Sequence, residues 1–398
     1  MISTLLAAAL AAAPSLGAPA GTQCGVCHPS ERVAFEQSAH ALERVGCEDC
    51  HGGDPQSVEV DRAHRGRFRS LSDRKQIPDL CARCHSDPVM MRPYNLATEQ
   101  HVIYKTSVHG IALARGDDRA AVCSDCHGAH DVLSPVDPES RVHPRNIPST
   151  CAVCHADASL MERYGLDPSI EEQYRSSVHG RALLVDGNSA APDCSRCHGV
   201  HGATPPGVGD VEKVCGGCHQ QVRRAFREGP HHEGMPSAGL SECASCHESH
   251  AIRTYTAADV ETLCAQCHAE NSDEVLAGSK LRSMIEATRQ EIDKAEELIL
   301  EAERVPFDME DQRARIIQAR TYLTELPTLT HGLSLEAVET LARRARSVGE
   351  EVQHDVYSKL RERSTRRIML LALWFYILMT VAILVAYKRR LRRGAAAE

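Results

Sequence analysis

Residues 123–130 read CSDCHGAH, and the first five of them decide what the larger part of this chain is built around. The pattern Cys-x-x-Cys-His recurs from Cys24, Cys47, Cys81, Cys123, Cys151, Cys194, Cys215, Cys243 and Cys264. Its second cysteines are Cys27, Cys50, Cys84, Cys126, Cys154, Cys197, Cys218, Cys246 and Cys267, so all 18 cysteines are used. The histidines that follow are His28, His51, His85, His127, His155, His198, His219, His247 and His268. Disulfide frameworks and zinc ribbons also pair cysteines, but neither needs histidine at the next position. With 22 histidines in 398 residues, nine such successes by chance have a probability on the order of 10⁻¹¹. The motif is the one by which two thiols add to porphyrin vinyl groups while the histidine ligates iron. Nine covalent c-type haems are therefore expected, each with its proximal ligand fixed.

Residues 21–268 hold all nine motifs, and the whole chain has only 5 Phe, 1 Trp and 9 Tyr. Porphyrins must supply much of the core there, and without haem this part is expected to be largely unfolded. The formal charge of -9 gives no sign of nucleic-acid binding.

Residues 1–20, with an apolar run and a small-residue exit at Ala18-Pro19-Ala20, are expected to be a cleaved export signal, although a basic leader is missing. Residues 368–387 contain no charge and would span about 30 Å as a helix, the thickness of a bilayer core. Five basic residues precede this span (Lys359, Arg361, Arg363, Arg366 and Arg367) and five follow it (Lys388, Arg389, Arg390, Arg392 and Arg393), so charge alone does not orient it. Haem attachment outside the cytoplasm does. It places the haem region on the periplasmic side of the inner membrane and the basic tail 388–398 inside.

The haem region repeats itself. The segment from Cys81 to His109 matches the segment from Cys151 to His179 at a constant offset of 70, with Met91 against Met161 and Tyr104 against Tyr174. Shorter versions place His40 twelve residues after His28 and His231 twelve after His219. In all four an aromatic lies five residues before the histidine (Phe35, Tyr104, Tyr174, Phe226), read as haem packing. Three of the second motifs continue to a further histidine, His130, His201 or His250, read as lying on the motif's helical face and aimed at a neighbouring iron. The first unit has Asp54 there, and His64 is its expected replacement. Candidate distal ligands are thus His40, His64, His109, His130, His179, His201, His231 and His250. His101, His143 and His232 are further candidates, and Met90, Met91 and Met161 an alternative, although methionine in an apolar segment usually packs.

After His268 the pattern turns helical. Leu281, Ile285, Thr288, Ile292, Ala295, Ile299 and Ala302 alternate four and three, as in a coiled-coil seam. Pro306 is expected to end that helix. A second is expected from about Asp308 to Leu326, stopping before Pro327, with Ile316, Ala319, Leu323 and Leu326 on one face. A third should start at Ser334, carry Val338, Leu341, Ala345, Val348 and Val352, and run on toward the membrane span. The three either pack as a bundle or form a homodimer through the seam. His331 and His354 read as solvated.

The expected architecture is mainly α with extensive irregular structure: residues 21–268 a haem-packed region of two-haem units, 269–367 a helical stalk or bundle, 368–387 the transmembrane helix. The doubled CxxCH motifs, with the SVHG and CSDCHGAH segments, resemble the multihaem c-type cytochromes. That resemblance implies electron transfer between a membrane quinol dehydrogenase, or another membrane redox subunit, and periplasmic or extracellular acceptors. The alternative is a reductase of nitrogen or sulfur oxyanions at one weakly ligated haem. Its candidate is Lys280, twelve residues after His268, where other units have histidine.

Overall fold

The structure is a computed structural model that describes residues 22–207, 210–304 and 308–394. The expected export signal, Pro306 and the end of the basic tail lie outside the described residues. The chain is mainly helical, with no strand among the described residues. It divides into two compact units: one runs up to Val214 and takes in Cys243–Thr254, and the other is Cys215–Glu242 with the residues from Tyr255 onward.

The first unit is a succession of short helices, the longest being Gln76–His85. Each attachment motif sits on a helical turn, where residues i, i+3 and i+4 share a face, so both thiols and the imidazole of one motif point the same way. The turn is closed by the proximal histidine's own N–H, which donates to the first cysteine's carbonyl at 3.0 Å in His28 and in His247. The second-motif helices are started by acids. Asp49 and Asp125, inside CEDCH and CSDCH, accept from the N–H of Gly46 and Val122 at 2.6 Å each. In CSRCH the cap is Asp193, which accepts from Ser195 N–H at 2.8 Å. Apolar packing is sparse, as the short aromatic supply demands. A buried cluster consists of Leu113, Ala120 and Val122, with Ile77, Tyr104 and Ala112 against it.

The second unit is organised around three long helices: α1 (Asp273–Ala302), α2 (Glu310–Thr330) and α3 (Leu335–Gly394). Every seam residue named for α1 is buried, and so are Ile316, Ala319, Leu323 and Leu326 of α2. They meet one another and α3 in one continuous core, so the seam is used within the chain. Arg320 of α2 fastens the bundle to α1 through Asp293 and Glu296, and Arg315 fastens it to α3 through Glu351 and Asp355. Ser334 caps α3 as expected, accepting from Ala337 N–H at 3.2 Å.

Two expectations need correction. Pro327 does not stop α2, which continues to Thr330; a proline forfeits one hydrogen bond, and burial of Leu326 beside it holds the last turn in place. The buried stripe of α3 is Val338, Ala342, Ala345, Gly349, Val352 and Val356, whereas Leu341 and Val348 are only half-buried at its edge. Small residues face the centre because three helices crowd there. Beyond the bundle α3 continues without a break through residues 368–387, all exposed, and is long and apolar enough to cross a membrane.

Candidate haem sites

Among the described residues, seven of the motif histidines stand opposite a second imidazole, as follows. Ring centres are 6.3 Å apart for His28 and His64, 6.0 Å for His85 and His40, and 6.1 Å for His51 and His130. They are 6.2 Å apart for His155 and His109, 6.0 Å for His127 and His201, 6.0 Å for His198 and His250, and 6.2 Å for His268 and His231. Two imidazoles on opposite sides of one metal ion, each with a metal–nitrogen bond of about 2 Å and about 1 Å more from nitrogen to ring centre, have centres about 6 Å apart. The pairs fit a six-coordinate haem iron.

The pairing follows two rules. Three of the histidines that end the aromatic-x-x-x-x-His segments stand opposite the first motif of the following unit: His40 faces His85, His109 faces His155, and His231 faces His268. Histidines three residues beyond a second motif stand opposite the second motif of the preceding unit: His130 faces His51, His201 faces His127, and His250 faces His198. Asp54 departs from the sequence pattern in the first unit, which has no second motif before it. His28, with no unit before it, takes its partner from its own unit, His64.

Local structure explains both reaches. In SVHG, Ser107 and Ser177 are buried helix caps, each accepting from the glycine N–H three residues on at 3.0 Å and donating to a tyrosine carbonyl at 2.6 Å. Those glycines, Gly110 and Gly180, lie so close to the preceding helix that a Cβ would stand 2.0 Å from the carbonyl oxygen of Tyr104 or Tyr174. His109 is held at the start of Val108–Ala114, and His179 occupies the same place in Val178–Leu184. The helical-face reading of His130 and His201 is corrected here. The motif helices end at His127 and His198, and Gly128 (φ 85°) and Gly199 (φ 89°) turn the chain away, which is what lets the second imidazole reach another motif. The two kinds of donor are tied together by backbone: Ala39 N–H donates to Val132 C=O at 2.8 Å, and Val178 N–H to Ile252 C=O at 3.0 Å.

Burial holds the imidazoles of His40, His85, His109, His155, His198, His201, His231 and His250 below their ordinary range, and pushes His127 down to about 4. A neutral imidazole is the form that ligates metal. His51 and His247 are further oriented by Nδ1, 3.2 Å from Arg69 C=O and 2.9 Å from Arg253 C=O, the contact that fixes a ligand's tautomer. Attachment thiols of successive motifs adjoin. The Cys81 thiol interacts with that of Cys123, Cys151 with Cys194, and Cys47 with Cys24.

The remaining candidates do other things. His101 pairs with Asp79 at 3.0 Å, His143 Nδ1 accepts from Arg145 N–H at 3.4 Å, and His232 packs edge-on against Phe226. Met91 and Met161 are buried packing residues, while Met90 is exposed. Lys280 is an exposed residue of α1, and the group facing His268 is His231. The tyrosines read as haem packing have a hydroxyl role that the spacing did not reveal. Tyr104 donates to Ala121 C=O at 2.9 Å and Tyr174 to Pro192 C=O at 2.8 Å, each two residues before a second motif.

Paired thiols on helical turns beneath facing imidazoles define a protein that binds haem covalently at many sites. Residues 235–273 match the family described as Doubled CXXCH motif. Cytochrome c3 of Desulfuromonas acetoxidans is 34% identical over 55 residues, 13% of this chain and 79% of that protein. No solved structure matches the chain. The chain belongs to the multihaem c-type cytochromes and carries covalently bound c-type haem.

Proposed function

We propose that this is a nonahaem electron carrier, anchored in the inner membrane by residues 368–387 with its haems on the periplasmic side. All nine motifs attach haem, the motif histidines are proximal ligands, and the facing histidines are distal ligands. The observation that carries this reading is the combination of paired imidazoles with adjoining attachment sites. Haem supplies one-electron chemistry. At the seven facing pairs the two histidines would hold the iron between them, an arrangement that would suit passing electrons and leave little room for substrate at iron.

The membrane helix contains no histidine or acid with which to oxidise quinol itself. A membrane quinol dehydrogenase is therefore the expected donor, and a periplasmic or extracellular redox protein the expected acceptor. The test is a haem-to-polypeptide ratio by mass on detergent-purified protein, followed by a potentiometric titration. Nine haems that reduce in overlapping low-potential steps are expected. Fewer haems, or a chain that mediators cannot reduce, would contradict the proposal.

A further inference from the structure

The second motifs of the first three units differ in charge at one position. Two residues after the first cysteine, CEDCH has Asp49, CSDCH has Asp125 and CSRCH has Arg196. Asp49 and Asp125 both cap their own turn, accepting from Gly46 N–H and Val122 N–H at 2.6 Å. Asp125 has a further partner. Arg74, seven residues before Cys81, reaches across to the turn of Cys123. Its Nη2 and Nη1 donate to the two Asp125 carboxylate oxygens at 2.5 and 3.2 Å, and Nη2 also donates to Ala120 C=O at 3.0 Å. Such a fork fixes the guanidinium in place as well as neutralising the acid. The Arg74 Nε–H is buried with no partner in the polypeptide, a donor of the kind that a haem carboxylate would accept from.

The third unit reaches the same balance by another route. The offset of 70 that relates the two units puts Pro144 in the place of Arg74, so that position supplies no cation. Arg196 stands on the motif itself instead, exposed, and the cap is Asp193, a buried acid that accepts from Ser195 N–H at 2.8 Å. Cation and acid have both changed position, yet each turn keeps one capping acid and one arginine. A cap alone needs no arginine. CEDCH differs from both, since it holds two acids, Glu48 and Asp49, and among the described residues no cation pairs with either.

We propose that Arg74 and Arg196 raise the potentials of the haems on the turns of Cys123 and Cys194, and that the haem of CEDCH, without such a cation, is the lowest of the three. The inference rests on the electron-carrier reading and deepens it, because it gives these haems a downhill order from the first unit toward the second and third. Reduction adds one electron to an iron with no covalent bond made or broken. A neighbouring cation favours the reduced form, and a neighbouring carboxylate opposes it. The two arginines are positioning residues, acting on the haems through charge.

The experiment is a mediated potentiometric titration of the full-length holoprotein in detergent, followed through its low-spin ferric electron paramagnetic resonance signals, with haem counted by mass. The component missing in His201→Ala marks the haem of Cys123, and the one missing in His250→Ala marks the haem of Cys194. At a fixed potential near its midpoint, Arg74→Gln should raise the ferric-to-ferrous ratio of the first component by roughly tenfold. Asp125→Asn, which can still cap the turn, should lower that ratio by a similar factor. The two changes together, and Arg74→Lys alone, should each stay within about threefold of wild type. Arg196→Gln should act on the second component as Arg74→Gln does on the first, and it decides the matter if Arg74→Gln loses haem. A turn that has merely loosened would shift both single variants the same way. Shifts of one sign, or none, in a protein that mediators reduce would overturn the charge assignment alone. A chain that no mediator reduces would overturn the carrier reading with it.

Discussion

Tyr104 and Tyr174 illustrate what a single residue does in this molecule. Each lies in a helix leading to SVHG, and each hydroxyl ties that helix to the segment entering the next motif. Tyr104→Phe or Tyr174→Phe should cost about 1 kcal/mol, the worth of one such bond, measured by denaturant unfolding with covalent haem content unchanged. An unaltered midpoint would mean that the ring alone matters. Spacing made an aromatic legible at these positions but could not reveal the hydroxyl's role, because its acceptor is a backbone carbonyl 17 or 18 residues away. His64 was found for the opposite reason: Asp54 stood where the repeat wanted histidine, and the exception pointed to a substitute. Which motif histidine His64 faces is not legible in the spacing, since that depends on how residues 52–69 fold back on the first motif.

At the scale of elements, the facing imidazole pairs differ in geometry. Imidazole planes are nearly parallel in His127–His201 (8°) and His198–His250 (7°), and nearly perpendicular in His28–His64 (88°). Parallel planes separate the two iron orbitals that interact with the rings, whereas perpendicular planes leave them close in energy. His201→Ala should therefore remove a rhombic low-spin signal from the electron paramagnetic resonance spectrum, and His64→Ala a strongly axial one. Loss of the same kind of signal in both variants would contradict the ring geometry.

The bundle is the most legible part of the chain because a regular seam needs no cofactor: each residue named on α1 and α2 is buried. The face of α3 was harder, since Ala342 and Gly349 carry little hydrophobic signal beside Leu341 and Val348. Ile292, fully buried in α1, should cost about 3 kcal/mol on replacement by alanine. The check is thermal unfolding of the helical signal in the holoprotein. A cost below about 1 kcal/mol would place Ile292 outside a packed core.

Over the whole molecule, α3 joins the bundle to the apolar segment without a break. Removing residues 368–398 should release a fully haem-loaded protein into the soluble fraction; retention in washed membranes would assign the attachment to the bundle or to a partner. The central claim concerns the facing imidazoles. It is tested most directly by quantitative electron paramagnetic resonance and near-infrared magnetic circular dichroism on the oxidised, full-length protein. Given seven facing pairs, at least seven haems per chain should be low-spin with two imidazole ligands. Fewer than seven, with the remainder high-spin or ligated by methionine sulfur, would contradict the account.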